Sequence, residues 1–274
     1  MADSLEALAG RGRDGDRDAL ERLVAAIQDR IYALALRMLW HPEDAGDATQ
    51  EILIRVVTHL STFRGESAFS TWVYRVAANH LLSFRRSRLE EQRYTFARFG
   101  AELDRDLSET VSAQPGVEQA LLLEEVKIGC TLAMLTCLDR AHRLAYVLGE
   151  ILEMEGPDAA QVLETDPATY RKRLERARAD VIAFTRAKCG LIAPERSCRC
   201  RRRLAHALQT GRVDPRRPLF AADAARARAF PSVLAEIRQL EDVRRVAALF
   251  RSHPEPRAPE RVVTTLRELL RSLS

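Results

Sequence analysis

Apolar residues in this chain return every three or four positions through almost every long stretch, and that period belongs to α-helices, whereas half-buried strands alternate every two. Between 19 and 39, Leu20, Leu23, Val24, Ile27, Ile31, Leu34, Ala35 and Met38 form one such face, which His41-Pro42 ends. A second helix is expected from 43 to about 60 and a third from 69 to about 88, joined by the turn STFRGES. Helical spacing resumes over 117–135, 140–154, the short 158–163, and 167–188. Two further amphipathic patterns follow: Val233, Leu234, Ile237, Leu240, Val243, Ala247 and Phe250, then Val262, Val263, Leu266, Leu269, Leu270 and Leu273. Only 12 Gly, 11 Pro and 6% aromatics accompany abundant Ala, Leu, Arg and Glu. Those are helix formers, so the expected class is all-α.

With 274 residues, two compact domains and a smaller third piece are expected. The stretch FARFGAELDRDLSETVSAQPGVEQ is polar and acidic and reads as a linker. The expected division is a helical domain over 1–95, a flexible linker over 96–116, a second helical domain over 117–188 and a helical extension over 189–274. No window approaches the roughly 20 apolar residues of a spanning helix, and MADSLEALAGRGRDGDRDAL has no signal-peptide core, so a cytoplasmic protein without membrane insertion is expected. Five cysteines, at 130, 137, 189, 198 and 200, do not form a secreted disulfide framework, and reduced thiols are expected. Of 43 Lys+Arg, only Lys127, Lys172 and Lys188 are lysines. The Arg fork suits phosphates and guanine edges, but genome base composition accounts for a bulk excess equally well. Position therefore carries more information than count.

The segment PDAAQVLETDPATYRKRLERAR reads as a short helix, a tight turn and a longer helix, with Asp166 as N-cap and Pro167 as first helical residue. Tyr170, Leu174, Ala177 and Val181 share an inward face, and Arg171, Lys172, Glu175 and Arg176 lie outward, with Arg173 and Arg178 on the flanks. That is a helix-turn-helix arrangement able to enter the major groove; a solvated basic helix is the plainer reading of this segment alone.

The helix from 43 carries Glu43, Asp47, Gln50 and Glu51 on one face and Ile52, Leu53, Val56, Val57 and Leu60 on the other. An acidic stripe serves either as a solvated face or as a docking surface for a basic partner. Beyond it, Phe63, Phe69, Trp72 and Tyr74 stand among Arg64, Arg75, Arg85, Arg86 and Arg88, the mixture of stacking and charge that single-stranded DNA takes. Phe69, Trp72, Val73, Val76 and His80 also share a core stripe, so Phe69 and Trp72 are assigned to packing. Arg75, Asn79, Ser83 and Arg86 are the better ligand candidates.

In this order, PEDAGDATQEILIRVVTHLSTFRGESAFSTWVYRVAANHLLSFRR and HRLAYVLGEILEMEGPDAAQVLETDPATYRKRLERARADV resemble regions 2 and 4 of the extracytoplasmic-function group of bacterial RNA polymerase sigma factors, within the sigma-70 family. The resemblance covers about residues 15–187. It implies that Asp47, Gln50 and Glu51 dock on the clamp helices of the polymerase β′ subunit, and that a second contact falls on the β flap. It implies that Arg75, Asn79, Arg85 and Arg86 capture the unwound −10 element, with Asn79 holding a flipped base. Arg171, Lys172, Arg173 and Arg176 would read the −35 element as duplex, the acidic linker would thread toward the active-site channel, and an anti-sigma protein is a further implied partner. Thr71 and Trp72 match a TW pair, read here as packing. The chain departs from the pattern at Gly46, where an aliphatic residue is usual and Gly costs about 1 kcal/mol relative to Ala. It departs again at Glu164, where the turn usually has glycine, and at Ala159 and Tyr170, where branched aliphatics are expected.

The extension falls outside that pattern. Cys189, Cys198, Cys200 and His206 offer three thiolates and an imidazole, a donor set suited to tetrahedral Zn²⁺, at a C-x8-C-x-C-x5-H spacing without the usual knuckle. A thiol switch is the other reading, because Arg199, Arg201, Arg202 and Arg203 would lower neighbouring thiol pKa values; incidental cysteines beside a basic patch are the plainest. Apart from that zinc reading no cofactor is assigned. No phosphate loop, zinc-protease motif or nucleophile elbow is present, so no enzyme activity is expected. The competing function is a free-standing helix-turn-helix regulator, or a metal or redox sensor using the C-terminal cysteines.

Overall fold

A computed structural model describes residues 3–84, 94–105, 107 and 118–272. Among the described residues it is built of thirteen α-helices with one isolated β-bridge, between Cys189 and Cys198. The chain divides into two compact units that are not contiguous in sequence. One comprises Met1–Ser87, Val147–Leu174 and Glu255–Ser274, and the other Arg88–Tyr146 and Glu175–Pro254.

The first unit opens with α1 (Leu5–Arg13), α2 (Arg17–Leu39), α3 (Pro42–Thr58) and α4 (Phe69–Ser83). Ser4 and Asp16 cap α1 and α2, accepting from the Ala7 and Ala19 amides at 3.1 and 3.0 Å, and so satisfy donors that a helix start leaves without partners. The break after Leu39 falls where the sequence places it: Trp40 takes a positive φ of 66°, and Pro42 starts α3, where its missing N–H costs nothing. Leu23, Ile27, Ile31, Leu34 and Met38 of α2 are buried, as are Ile52, Leu53 and Val56 of α3. The Glu6 carboxylate of α1 accepts from the Phe69 amide at 3.2 Å and steadies the start of α4. α4 ends at Ser83, short of the expected 88; the Ser83 hydroxyl donates back to Asn79 O and His80 O, and Phe84 turns extended. Two later helices also belong here, α8 (Gly156–Val162), which packs on α4, and α13 (Glu260–Ser272), which packs on α2 and α3.

The second unit contains α5 (Phe96–Leu103), α6 (Gln119–Thr136), α7 (Arg140–Tyr146), α10 (Cys200–Gln209), α11 (Ala224–Gln239) and α12 (Asp242–Arg251). α5 lies inside the stretch read as a linker. Thr95 caps it by accepting from the Arg98 amide, and Phe96 and Phe99 pack on Phe184 with ring centroids 5.1 and 5.4 Å apart. Two aromatics in a polar stretch were enough to order it; residues 106 and 108–117 of that stretch lie outside the described ones. α6 is buried on most of its circumference. The Glu125 carboxylate, 1% exposed, accepts from the Leu219, Phe220 and Ala221 amides at 2.6, 2.9 and 2.8 Å. Arg143 of α7 is equally buried and donates to the carbonyls of Leu135, Thr136 and Leu138, the ones a helix end leaves unpaired. Leu204, Ala207 and Val213 complete a core with Leu122 and Val126.

The pattern from Val233 to Phe250 is two helices that meet at Leu240, and Val233 and Leu240 are exposed rather than inward. The helix before that break starts at Ala224, well ahead of Pro231 and capped by Asp223, so the proline sits inside it. The buried members are Ile237, Ala247 and Phe250. The side chains of Val243, Leu269 and Leu270, and residue Leu273, lie outside the described ones. The remaining helix, α9 (Pro167–Lys188), is the longer arm of the helix-turn-helix.

Candidate nucleic-acid and partner interfaces

The acidic stripe of α3 exists because the other side of that helix is committed to the core. Ala45, Ala48, Thr49, Ile52, Leu53 and Val56 point inward, leaving Asp47 and Gln50 half-buried and Glu51 exposed. These three line an open concavity with Arg55 of α3 and with His80, Ser83 and Phe84 at the end of α4. His80 is buried, as the core stripe requires, with Nε2 3.7 Å from the Glu51 carboxylate. Burial lowers the imidazole pKa below its ordinary value against the opposing pull of Glu51, so the ring is neutral at pH 7 and the concavity keeps its negative charge.

That face already holds a cation. Arg261 of α13 lies 3.1 Å from the Asp47 carboxylate and donates to Glu43 O at 3.1 Å. Gly46 makes the approach possible, since a Cβ there would stand 2.7 Å from Arg261 Nη2.

On α4, Phe69, Thr71, Trp72, Val73, Ala77 and Leu81 are buried. Phe63, Phe69 and Trp72 form a cluster with centroids 5.1 to 5.7 Å apart, which is the packing role expected for Thr71 and Trp72. Arg75 is half-buried and Asn79, one turn on, is exposed, so the two share a face at i, i+4 spacing. The Asn79 amide donates to the Glu164 carboxylate at 3.3 Å. Ser83 spends its hydroxyl on the backbone, and Arg85 and Arg86 lie outside the described residues.

The helix-turn-helix forms as its caps dictate. Asp166 accepts from the Ala168 and Thr169 amides at 2.9 Å each and from the Thr169 hydroxyl at 2.6 Å, and these bonds hold its carboxyl below the usual range. Glu164 adopts φ 48°, a left-handed conformation that explains why glycine suits this position. Tyr170 is accommodated by Gly149, where a Cβ would meet its hydroxyl at 2.5 Å, so the bulkier residue is matched by a smaller one. Tyr170, Ala177 and Val181 are buried, Leu174 is half-buried, and Arg171, Lys172 and Arg176 are exposed, with Arg173 half-buried. α9 thus presents a cationic ridge over a buried apolar one.

The thiols behave differently from the sequence reading. Cys189, Cys198 and Cys200 are not activated by the neighbouring arginines: burial raises all three, Cys198 to about 11, and outweighs the lowering by Arg199 and Arg203. Those guanidiniums are turned to backbone instead, Arg199 to Arg196 O and Pro194 O, Arg203 to Glu102 O and Arg105 O. Among the described residues no group of three or more His, Cys, Asp and Glu side chains is placed to hold a metal ion, the set with His206 included. Nor is any helix among them long and apolar enough to cross a membrane. Sequence reasoning missed Arg261 and the Asn79–Glu164 bond, although Gly46 and Glu164 each marked the place by breaking a local rule.

Comparison with known proteins places these faces in context. The family described as Sigma-70 region 2 matches residues 23–90. The chain is 32% identical over 175 residues to the RNA polymerase sigma-H factor of Pseudomonas aeruginosa, covering 62% of this chain and 88% of that one. It is 34% identical over 182 residues to the RNA polymerase sigma factor NccH of Alcaligenes xylosoxydans xylosoxydans, covering 65% and 93%. It is also 28% identical over 166 residues to the ECF RNA polymerase sigma factor SigW of Bacillus subtilis, covering 61% and 88%.

Proposed function

Because the chain belongs to the RNA polymerase sigma factors of the extracytoplasmic-function group, we infer that it binds core RNA polymerase, directs that enzyme to specific promoters and promotes opening of the DNA there. The observation that carries this is that the likeness runs along nearly the whole length of its relatives rather than through one motif. A free-standing helix-turn-helix regulator needs neither the acidic concavity nor the aromatic and cationic α4.

In detail, the carboxylates of Asp47 and Glu51, with Gln50, take a basic helical surface of the polymerase, the β′ clamp helices. Arg75 and Asn79, with Arg85 and Arg86, hold the unwound −10 strand: the cations follow its phosphates, and the Asn79 amide offers both donor and acceptor to an extruded base. The ridge of Arg171, Lys172, Arg173 and Arg176 enters the duplex at the −35 element, where Arg reads guanine edges and the other cations fix register on phosphates. None of these steps makes or breaks a covalent bond in the protein, which acts as a specificity subunit in the cytoplasm, where polymerase works.

The test is co-elution of the purified protein with core RNA polymerase, followed by run-off transcription on fragmented genomic DNA of its source. Start sites that share −35 and −10 elements are expected. Duplex binding without polymerase association would instead support the free-standing regulator. Within the assay, Asn79→Ala should impair opening more than initial duplex binding, and the reverse order would overturn its assignment.

A further inference from the structure

We propose that α13 is a same-chain competitor for the acidic face of α3, occupying the ground that the polymerase takes and leaving before docking. This rests on the polymerase-docking reading of Asp47, Gln50 and Glu51 given above.

Three independent features of the same unit carry it. First, α13 is anchored by apolar residues: Val262 and Leu266 are fully buried against α2 and α3, and just before the helix the Ala258 amide donates to the Asp29 carboxylate at 2.9 Å. Second, Arg261 places a guanidinium on Asp47 and on the Glu43 carbonyl. A face read as a dock for basic side chains is therefore seen holding one. Third, Gly46 sits inside α3, where glycine weakens a helix, and the only feature within 4 Å that a side chain there would strike is the Arg261 guanidinium. The helix accepts that weakness where it admits α13.

The balance of forces suits a removable cover. The Arg261–Asp47 pair is solvent-exposed, 54% and 43%, and exposed pairs hold weakly and are screened by salt. It sets register, while Val262 and Leu266 supply the hold. A groove between α2 and α13, lined by Asp18, Glu21, Ala25, Val263, Leu266 and Arg267, marks the edge from which the helix can peel. The −10 face of the same unit is engaged too, through Asn79 and Glu164. Both surfaces assigned to polymerase and promoter thus face inward on the chain's own segments. Such a protein exists in two states, closed and docking-competent, and a polymerase binding only the second bears the cost of opening.

The experiment compares full-length wild type with Arg261→Glu, which sets a carboxylate against Asp47, and with Leu266→Ser, which removes the apolar anchor. Hydrogen exchange of peptides covering 43–56 and 258–268 is measured without polymerase, and affinity for core polymerase by fluorescence anisotropy. Both variants should exchange faster over these peptides and bind polymerase about tenfold or more tightly. A synthetic peptide of residues 255–272 should compete with polymerase for the released variants. Unchanged exchange would overturn the proposal, because α13 would then not cover α3. Faster exchange with unchanged affinity, in a wild type that binds polymerase and directs transcription, would overturn it while leaving the sigma reading intact. If no form binds polymerase although exchange reports release, the docking reading fails and the proposal falls with it.

Discussion

Glu164 shows how a single residue can serve two purposes at odds with each other. Its left-handed backbone costs an L-residue on the order of 1 kcal/mol, while its carboxylate accepts from Asn79 across an exposed, and therefore weak, hydrogen bond. Glu164→Gly should accordingly stabilise the protein by up to about 1 kcal/mol in urea titration, even as it frees Asn79; a loss of stability would mean that the carboxylate outweighs the strain. The thiols supply a second residue-scale expectation. Burial raises Cys198 to about 11 and Cys137 to about 12, whereas an unfolded thiol ionises near 8.5. The folded state therefore keeps protons that the unfolded state sheds, and stability present below about pH 8.5 is lost as pH climbs through 11 to 12. Thermal melts across pH 8 to 11 should fall, and iodoacetamide should label these cysteines far more slowly in the native protein than in urea.

At the scale of elements, α9 is the best separated case of a helix with two jobs. Its buried row of Tyr170, Ala177 and Val181 holds it in place, so its exposed cations can change without disturbing the core. Replacing Arg171, Lys172 and Arg176 together by Ala should weaken duplex binding and flatten the dependence of log K on log salt by about three counterions, one per lost phosphate contact. An unchanged slope would place the DNA elsewhere. α3 and α5 show what pattern reading handles well and badly. The α3 stripe was legible because its apolar partners repeat at helical spacing. α5 was not, because its order comes from Phe96 and Phe99 meeting Phe184, a residue more than 80 positions away, and no local period records that contact.

For the whole molecule, the extension is the decisive part. Residues after 188 contribute to both units: Leu204, Ala207 and Val213 to the core around Leu122 and Val126, and Val262 and Leu266 to the face of α2 and α3. A chain ending at Lys188 should therefore bind a hydrophobic dye and lose cooperative unfolding, because fully burying one Leu or Val is worth about 1.5–3 kcal/mol. A cooperative melt equal to that of the full chain would show that the extension is dispensable to the fold. The sequence by itself determined the helical class, the boundaries set by Pro42, Asp166 and Pro167, the buried row of α9 and the acidic face of α3, since each depends on residues within one or two turns of one another. It also marked Gly46 and Glu164 as exceptions. What those exceptions accommodate was decided only by the tertiary structure: Arg261 lies more than 200 residues from Gly46 and Glu164 lies 85 from Asn79, and nothing in a local period encodes which distant side chain will fill a gap. The thiols follow the same logic, for the arginines beside them in sequence predict activation, and burial among residues remote in sequence reverses it.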